Sequence, residues 1–475
     1  MKRRSFVLGS LSGPALSAQL RRGRPPLRQH PENPHYFHFR GRPAVLVTSA
    51  EHYGAVLNLD FDFRRYLATL EKDRLNLTRV FSGIYREVPG DFKIESNTLA
   101  PLPGRFICPW KEAEPGRFDL EQWDDDYFSR LRDFVNEAGR RGVVVEYVFF
   151  CPYYQDTMWH ASPLYEKNNV NGVGGVERNE VLTLQSGPLL EIQEKLVRKV
   201  TAELRDADNL YYEICNEPYV RKVPEEWEAH MARLIRESES GFNHRHLISQ
   251  NVANGTKRVE NPLPEVGILN FHYARPPVAV ADNSHLRRVI GMNETGFDGQ
   301  ADATYRVQAW DFLIAGGALY NNLDYSFTAT HEDGTFAYPE TQPGGGSAAL
   351  RKQLGALLRV FNDVEFLRMR PDVEVIRSRE EEGVSIRALS LPGRHYLVYV
   401  HHGRILRDER PRYRVDNVAR RTEVQLDLPP GRYGVRWIDP KTGWVGAQDS
   451  ARHGYGTARF RSPEYAEDVL LQIRA

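Results

Sequence analysis

Two glutamates in this sequence each close an apolar run and stand just before residues that turn the chain. Glu217 lies in Glu213-Ile214-Cys215-Asn216-Glu217-Pro218, and Glu294 in Met292-Asn293-Glu294-Thr295-Gly296. Carboxyl groups can do opposite jobs at one pH. One kept protonated donates a proton, while one kept ionised attacks or steadies a cation. Such a pair works only if the fold brings both groups to the same atom, so the elements that carry them decide the matter.

Short apolar runs at 44–48 (AVLVT), 75–81 (LNLTRVF), 142–150 (GVVVEYVFF), 209–215 (NLYYEIC), 246–251 (HLISQN), 266–273 (VGILNFHY), 288–293 (RVIGMN) and 317–324 (GALYNNLD) read as buried strands. Helical segments at 63–72, 125–139, 189–204, 227–237, 304–315 and 348–361, the first two with apolar residues at helical spacing, fall between or after them. The fifth and sixth runs have no helical pattern between them, which predicts one irregular crossover. Eight strands alternating with helices predict an α/β fold, a (β/α)₈ TIM barrel over 26–364 rather than an open sheet. Long Pro- and Gly-rich insertions follow strands two, three and eight. From 365 to 475 the texture changes to short runs at 373–377, 384–389, 396–401, 423–428 and 433–438 separated by turn signals. That pattern predicts a small antiparallel β-sandwich.

In such a barrel the reactive side chains sit at the C-terminal ends of the strands. Glu217 then leaves strand four and Glu294 strand seven, so both reach one rim and face each other over a gap the width of a sugar ring. Glycoside hydrolysis needs that arrangement, because its oxocarbenium-like transition state calls for an acid on one side and an anion on the other. A separation of about 5 to 5.5 Å implies retention of configuration.

With these residues in place, the sequence resembles the clan A glycoside hydrolases, the cellulase-like class of retaining barrels. The resemblance implies that Glu217 is the acid/base and Glu294 the nucleophile, that Asn216 bonds the sugar 2-hydroxyl, and that Arg79 keeps the nucleophile anionic. His272 and Tyr273 fit the family's His-x-Tyr region loosely. Being adjacent on a strand, only one is expected to point inward, with Tyr273 donating to Glu294. The sequence departs from the family where strand three ends in Phe149-Phe150-Cys151-Pro152 without a histidine, and where strand eight gives Asn321-Asn322-Leu323-Asp324-Tyr325 in place of a sugar-stacking Trp. The segment Trp437-Ile438-Asp439-Pro440-Lys441-Thr442-Gly443 resembles the collagen-binding-type sandwich appended to apiosidase-like barrels. Collagen binding itself does not follow from that family name.

His52 and Tyr53, after strand one, are expected to line the substrate pocket, and Trp159 and Tyr325, in rim loops, to stack on sugar faces. The competing reading for these four is packing beneath the loops. The chain of 475 residues balances 63 Lys and Arg against 63 Asp and Glu, so no basic surplus points to nucleic acid. No run approaches the ~20 apolar residues of a membrane span. Three cysteines without metal spacing, and no glycine-rich phosphate loop after a strand, point to no metal and no cofactor. Lys2-Arg3-Arg4 before Ser5-Phe6-Val7-Leu8 and a small-residue exit near Ala18 read as a twin-arginine-like export signal over 1–25, for a periplasmic or extracellular destination; the other reading is a basic arm. The expected function is a retaining glycosidase, exo-acting on a plant or microbial polysaccharide. The alternative is a non-catalytic glycan-binding protein on a degenerate barrel.

Overall fold

The structure, a computed structural model, describes residues 24–378, 381–406 and 409–475. The expected export segment lies outside these, apart from its last two residues. Eight parallel strands form the central sheet: β1 (Leu46–Ala50), β2 (Leu77–Phe81), β3 (Val144–Phe150), β4 (Leu210–Cys215), β5 (Leu247–Asn254), β6 (Ile268–His272), β7 (Val289–Glu294) and β8 (Leu319–Leu323). They run round the wall in chain order, and among the described residues the ladder is interrupted only between β1 and β2.

One side chain closes that seam. Asn76, just before β2, accepts from the Val47 amide at 2.8 Å and donates its Nδ2 to the Val45 carbonyl at 2.9 Å. Its own amide reaches the Val47 carbonyl at 3.3 Å, while its carbonyl accepts from Val144 of β3 at 2.9 Å. A carboxamide carries the donor and acceptor of a peptide unit, so it substitutes for the missing ladder. The strand-like run at 75–81 therefore contains the barrel's fastening as well as its second strand.

Helices α1 (Phe63–Lys72), α2 (Asp125–Arg140), α3 (Pro188–Glu203), α4 (Glu225–Ser238), α5 (Val278–Asn283), α6 (Asp302–Ile314) and α7 (Ala348–Asn362) surround the barrel. Asp62 and Asp124 cap α1 and α2 by accepting two first-turn amides each. The apolar stripe Phe63, Tyr66, Leu67 and Leu70 of α1 faces the strands at helical spacing. As expected, the β5–β6 crossover has no helix, while the short α5 after β6 was not signalled by periodicity.

Beyond α7 an antiparallel sheet domain follows the barrel. Six strands, Arg370–Pro371, Ser385–Leu391, His395–His401, Asp468–Arg474, Gly431–Ile438 and Val445–His453, form its main sheet in that order, and Glu423–Asp427 pairs with Thr457–Arg461 in a second layer. The run expected as a strand at 373–377 is a turn with a single bridge between Ile376 and Leu426. Strand His395–His401 is buried on both faces, and its residues alternate accordingly. Leu397 and Tyr399 join the barrel's core, while Tyr396, Val398 and Val400 join the sandwich's own.

Helix α6 is the shared element. It is buried along almost its whole length because the barrel covers one side and the sheet the other. Trp310 stacks on Tyr399 with ring centroids 5.7 Å apart. The buried Arg306 donates to Asp468 at 2.8 and 3.0 Å and to Glu467 at 2.7 Å. Bidentate, desolvated pairing of this kind fixes an orientation as well as a contact. Replacing Asn76 by alanine leaves the buried Val47 amide and Val45 carbonyl without partners. The expected cost is about 2–4 kcal/mol in denaturant unfolding; a loss near zero would show that the seam closes without this side chain.

Candidate active site

The site is built where strands end in tight backbone reversals. After β4, the Asn216 amide still pairs with the Phe150 carbonyl at 2.8 Å, but Glu217 then takes a left-handed conformation, φ 38° and ψ 49°, at the head of the turn Pro218–Val220. Tyr53, Phe92, Tyr273 and Phe297 also have positive φ, and all five line one pocket. Left-handed backbone is costly for residues with a Cβ, so its concentration here marks a place where side-chain direction is held against local preference.

Glu217 and Glu294 converge in that pocket. One carboxylate oxygen of each, together with a ring nitrogen of His272, lies within 4.8 Å of the others. Glu294 is the more heavily supported. Its Oε2 accepts from Arg79 Nη1 at 3.2 Å and from the Tyr53 hydroxyl at 3.4 Å, and its Oε1 from the Tyr273 hydroxyl at 3.0 Å. His272 Nδ1 stands 3.4 Å from the same Oε1. Burial by itself would raise the carboxyl's pKa, but His272, Arg79 and Tyr273 override it and hold the group well below the usual carboxylate range. Burial likewise opposes the charge on His272, yet the two glutamates push its pKa up to about 9.

Glu217 has different company. The Tyr154 hydroxyl donates to its Oε2 at 2.7 Å, and His272 Nδ1 lies 2.9 Å from its Oε1. Tyr154 is itself held by Asn216, whose Nδ2 donates to the phenol oxygen at 2.9 Å. Asn216 Oδ1 in turn accepts from Arg79 Nη2 at 2.9 Å. Arg79 is wholly buried beneath the pocket and also pairs with Glu213 and, at 3.5 Å, with Glu146. Its guanidinium lies 4.7 Å from the Tyr53 ring centroid.

Of the residues singled out in the sequence, His52, Tyr53, Asn216, Glu217, Tyr273 and Glu294 line the pocket, with Arg79 and His272 directly below. The expectation that only one of His272 and Tyr273 faces inward does not hold. The positive φ of 50° at Tyr273 breaks the strand alternation, so both reach the carboxyl groups. Trp159 does not line this pocket; it is buried between Tyr153 and Tyr165 and donates its indole N–H to the Val176 carbonyl at 3.0 Å. Tyr325 sits behind the lining, against His52 and Phe297.

Four functional-looking groups escaped the sequence reading. Glu146 and Glu213 are carboxyls inside apolar strands, bridged by the Nδ2 atoms of Asn270 and Asn293 at 2.7 to 3.2 Å. A charge in the middle of GVVVEYVFF or LYYEIC was the available signal. Glu87 and Tyr85 come from the long loop after β2. Glu87 accepts from the Tyr85 hydroxyl at 3.0 Å, lies 3.2 Å from His52 Nε2 and takes a bond from Asn97. Burial lowers the pKa of His52, but the adjacent Glu87 outweighs it and leaves the net shift upward. The pocket holds about 470 Å³ of empty space, mouth included, and aromatic rings make up most of its wall.

Glu217, His272 and Glu294 are the one His and carboxylate group among the described residues spaced to hold a metal ion. The donor set does not favour that use. His272 Nδ1 is already within hydrogen-bonding reach of Glu217, and the Arg79 cation already occupies one oxygen of Glu294.

No family model matches the chain, and no curated protein matches it. Solved structures do. A protein described as a glycoside hydrolase aligns over 95% of this chain and 97% of its own, with 14% identity and a TM-score of 0.61. A glycoside hydrolase family 5 protein from Bacteroides vulgatus aligns over 94% and 93%, at 14% identity and a TM-score of 0.60. The endo-1,4-beta-mannanase from Rhizomucor miehei covers 71% of this chain with all of its own, at 11% identity and a TM-score of 0.50. The first two alignments take in the sheet domain as well as the barrel. At these identities the likeness is one of fold.

The charge state of Glu294 has a measurable consequence. Its folded pKa lies below its unfolded value, so the stability it contributes is complete above about pH 4.3 and drains away as the pH falls further. The raised pKa of His272 acts at the other end, its contribution being lost as the pH rises through about 9. Glu294→Gln is therefore expected to flatten the acid limb, with the native chain losing on the order of 2 kcal/mol more than the variant between about pH 6 and pH 3. Parallel unfolding curves would contradict the assignment.

Proposed function

We propose that the chain is a retaining glycoside hydrolase that removes sugar residues from the end of a plant or microbial polysaccharide or oligosaccharide. The observation that carries this reading is the approach of the two carboxylates, Glu217 and Glu294, to within 4.8 Å of each other. Retaining glycosidases need about 5 to 5.5 Å between the two groups, and inverting ones need room for a water between them.

In this reading Glu294 is the nucleophile. Its oxygen forms a bond to the anomeric carbon as the bond to the leaving oxygen breaks, and Glu217 passes its proton to that oxygen. Water then gives a proton back to Glu217 and attacks the anomeric carbon, and Glu294 leaves as a carboxylate. The residues around each group match its part. Arg79, His272 and Tyr273 stabilise negative charge on Glu294, which is what an attacking group must carry. Glu217 lines the same pocket without a contact to Arg79, where it can exchange a proton with leaving group and water.

Tyr154, itself held by Asn216, fixes Glu217 from the strand-three side, where the family's histidine is missing. Support for attack at a chain end comes from the loop after β2, which brings Tyr85, Glu87, Phe92 and Leu99 against one side of the pocket. The matched carboxyl pair weighs against a purely binding role, since holding a glycan needs no nucleophile backed by a buried arginine. The fold shared with glycoside hydrolases, sheet domain included, points the same way.

The leaving group separates the two roles. Glu217→Gln is expected to lose about 10²- to 10⁴-fold in kcat/KM on sugars with poor leaving groups and far less in kcat/KM on dinitrophenyl glycosides, which depart without protonation, while kcat falls on both because water loses its base in the second step. Glu294→Gln loses turnover on both, with the fold retained by circular dichroism. Azide added to Glu217→Ala should yield a glycosyl azide of unchanged anomeric configuration. Full activity in either glutamine variant would sink the proposal.

A further inference from the structure

We infer that the sheet domain completes the active site with a cationic subsite, and that the group leaving Glu217's side carries an anion, a carboxylate or a sulfate ester. This rests on the glycosidase reading for its place in catalysis, and on the structure for its chemistry. A second cleft opens beside the catalytic pocket and shares Tyr273 and Phe297 with it. Its barrel side holds Asn254 and Arg275, and its far side Arg410 and Arg412 of the sheet domain.

The geometry puts this cleft on the acid's side. The Tyr219 hydroxyl donates to Asn254 Oδ1 at 2.7 Å and stands 3.4 Å from Glu217 Oε1, so the cleft starts where the leaving group takes its proton. The opposite side of the pocket is walled by the loop after β2. A chain threaded from that closed end emerges over the arginines.

The arginines are delivered by a hairpin. Strands Gly403–Ile405 and Tyr413–Val415 pair antiparallel, and Pro411 near their tip packs over Gly299, whose added Cβ would meet the proline ring at 3.7 Å. Arg275 is partly neutralised by Asp298 and lies over the Tyr273 ring, 5.2 Å from its centroid. Arg410 and Arg412 are exposed, and among the described residues neither has an acidic side chain within ion-pair range. Glu409, the one described acid of the hairpin, pairs with Arg414 instead. Among the described residues, three guanidinium groups and one carboxylate line this cleft. Guanidinium forks match the planar or tripodal oxygens of carboxylate and sulfate, and offer a neutral hydroxyl no comparable gain.

Binding can be read without turnover. Titration calorimetry on the whole chain carrying Glu217→Gln would use an oligouronate, its carboxyl-reduced counterpart and a sulfated oligosaccharide of similar length. The oligouronate or the sulfated probe is expected to bind, and whichever does identifies the anion. That binding should weaken about tenfold in Arg410→Ala/Arg412→Ala, the worth of one charge-assisted hydrogen bond, and weaken again as ionic strength rises from about 0.1 to about 1 M. Arg410→Gln/Arg412→Gln should match the alanine pair, which separates lost charge from lost packing. On simple aryl glycosides, whose leaving group stops short of the cleft, the double variants of the otherwise native chain should turn over normally. Equal affinity for the carboxyl-reduced probe, no binding of either anion, or an unchanged affinity in both double variants would overturn the subsite. Anion binding in a chain inactive on every glycoside would instead leave the subsite standing and remove the glycosidase reading.

Discussion

A single buried cation organises this molecule. Arg79 has no exposure to solvent and faces three carboxyl groups, Glu146, Glu213 and Glu294, each from a different strand. Taking a guanidinium out of water costs several kcal/mol, so it persists only if its partners compensate. Three ionised partners would over-compensate, and the barrel avoids that. Burial and the nearby Glu213 push the pKa of Glu146 well upward, which disfavours a third negative charge beside the arginine. The amides of Asn270 and Asn293 then tie Glu146 and Glu213 together as one hydrogen-bonded unit. What remains of the arginine's field is directed at Glu294. The reactivity proposed for that residue is thus a property of the barrel's interior as much as of its rim.

Positioning at the rim depends on backbone strain that the interior can sustain. Glu217 and Tyr273 adopt left-handed conformations directly after the last ladder bonds of β4 and β6. Strand geometry alternates side chains between faces, and an uninterrupted strand could not aim His272 and Tyr273 at the same carboxylate. The reversal lets adjacent residues converge. His272 consequently bridges both glutamates from below while Tyr273 reaches Glu294 from the side.

What was legible in the sequence follows from the same physics. Strands buried on both faces leave continuous apolar runs, so all eight were visible, as was the departure of Glu217 and Glu294 from two of their ends. Arg79, a charge in the middle of such a run, was reached only through the family resemblance. Glu146 and Glu213 are also mid-strand charges, but neither the rim rule nor the resemblance selects them. Tyr85 and Glu87 reside in an irregular loop whose path depends on contacts distant in sequence, and Trp159 was misplaced for the same reason. The strand Val445–His453 escaped because it is an edge strand with mostly exposed, polar residues and no apolar alternation. The expectation of a strand at 373–377 failed in the opposite sense, since apolar residues in a tight turn imitate a short strand.

The sheet domain is joined to the barrel too closely to be an independent appendage. Its strand His395–His401 gives alternate residues to two cores, so neither core is complete without that strand. The helix α6 has no solvent face, which explains why its sequence lacks the amphipathic pattern of a barrel helix. Arg306 and Asp311 extend from it to the acidic and basic groups of the sheet, Asp468 and Arg387, and pin its rotation. Because α6 directly follows β7, the same helix that anchors the sheet begins eight residues after Glu294. Docking at that point sets the strands Gly403–Ile405 and Tyr413–Val415, with Pro411, against the loop leaving Glu294. A domain fixed within one helix of the strand that carries Glu294 can place side chains beside the pocket with the precision of the barrel itself.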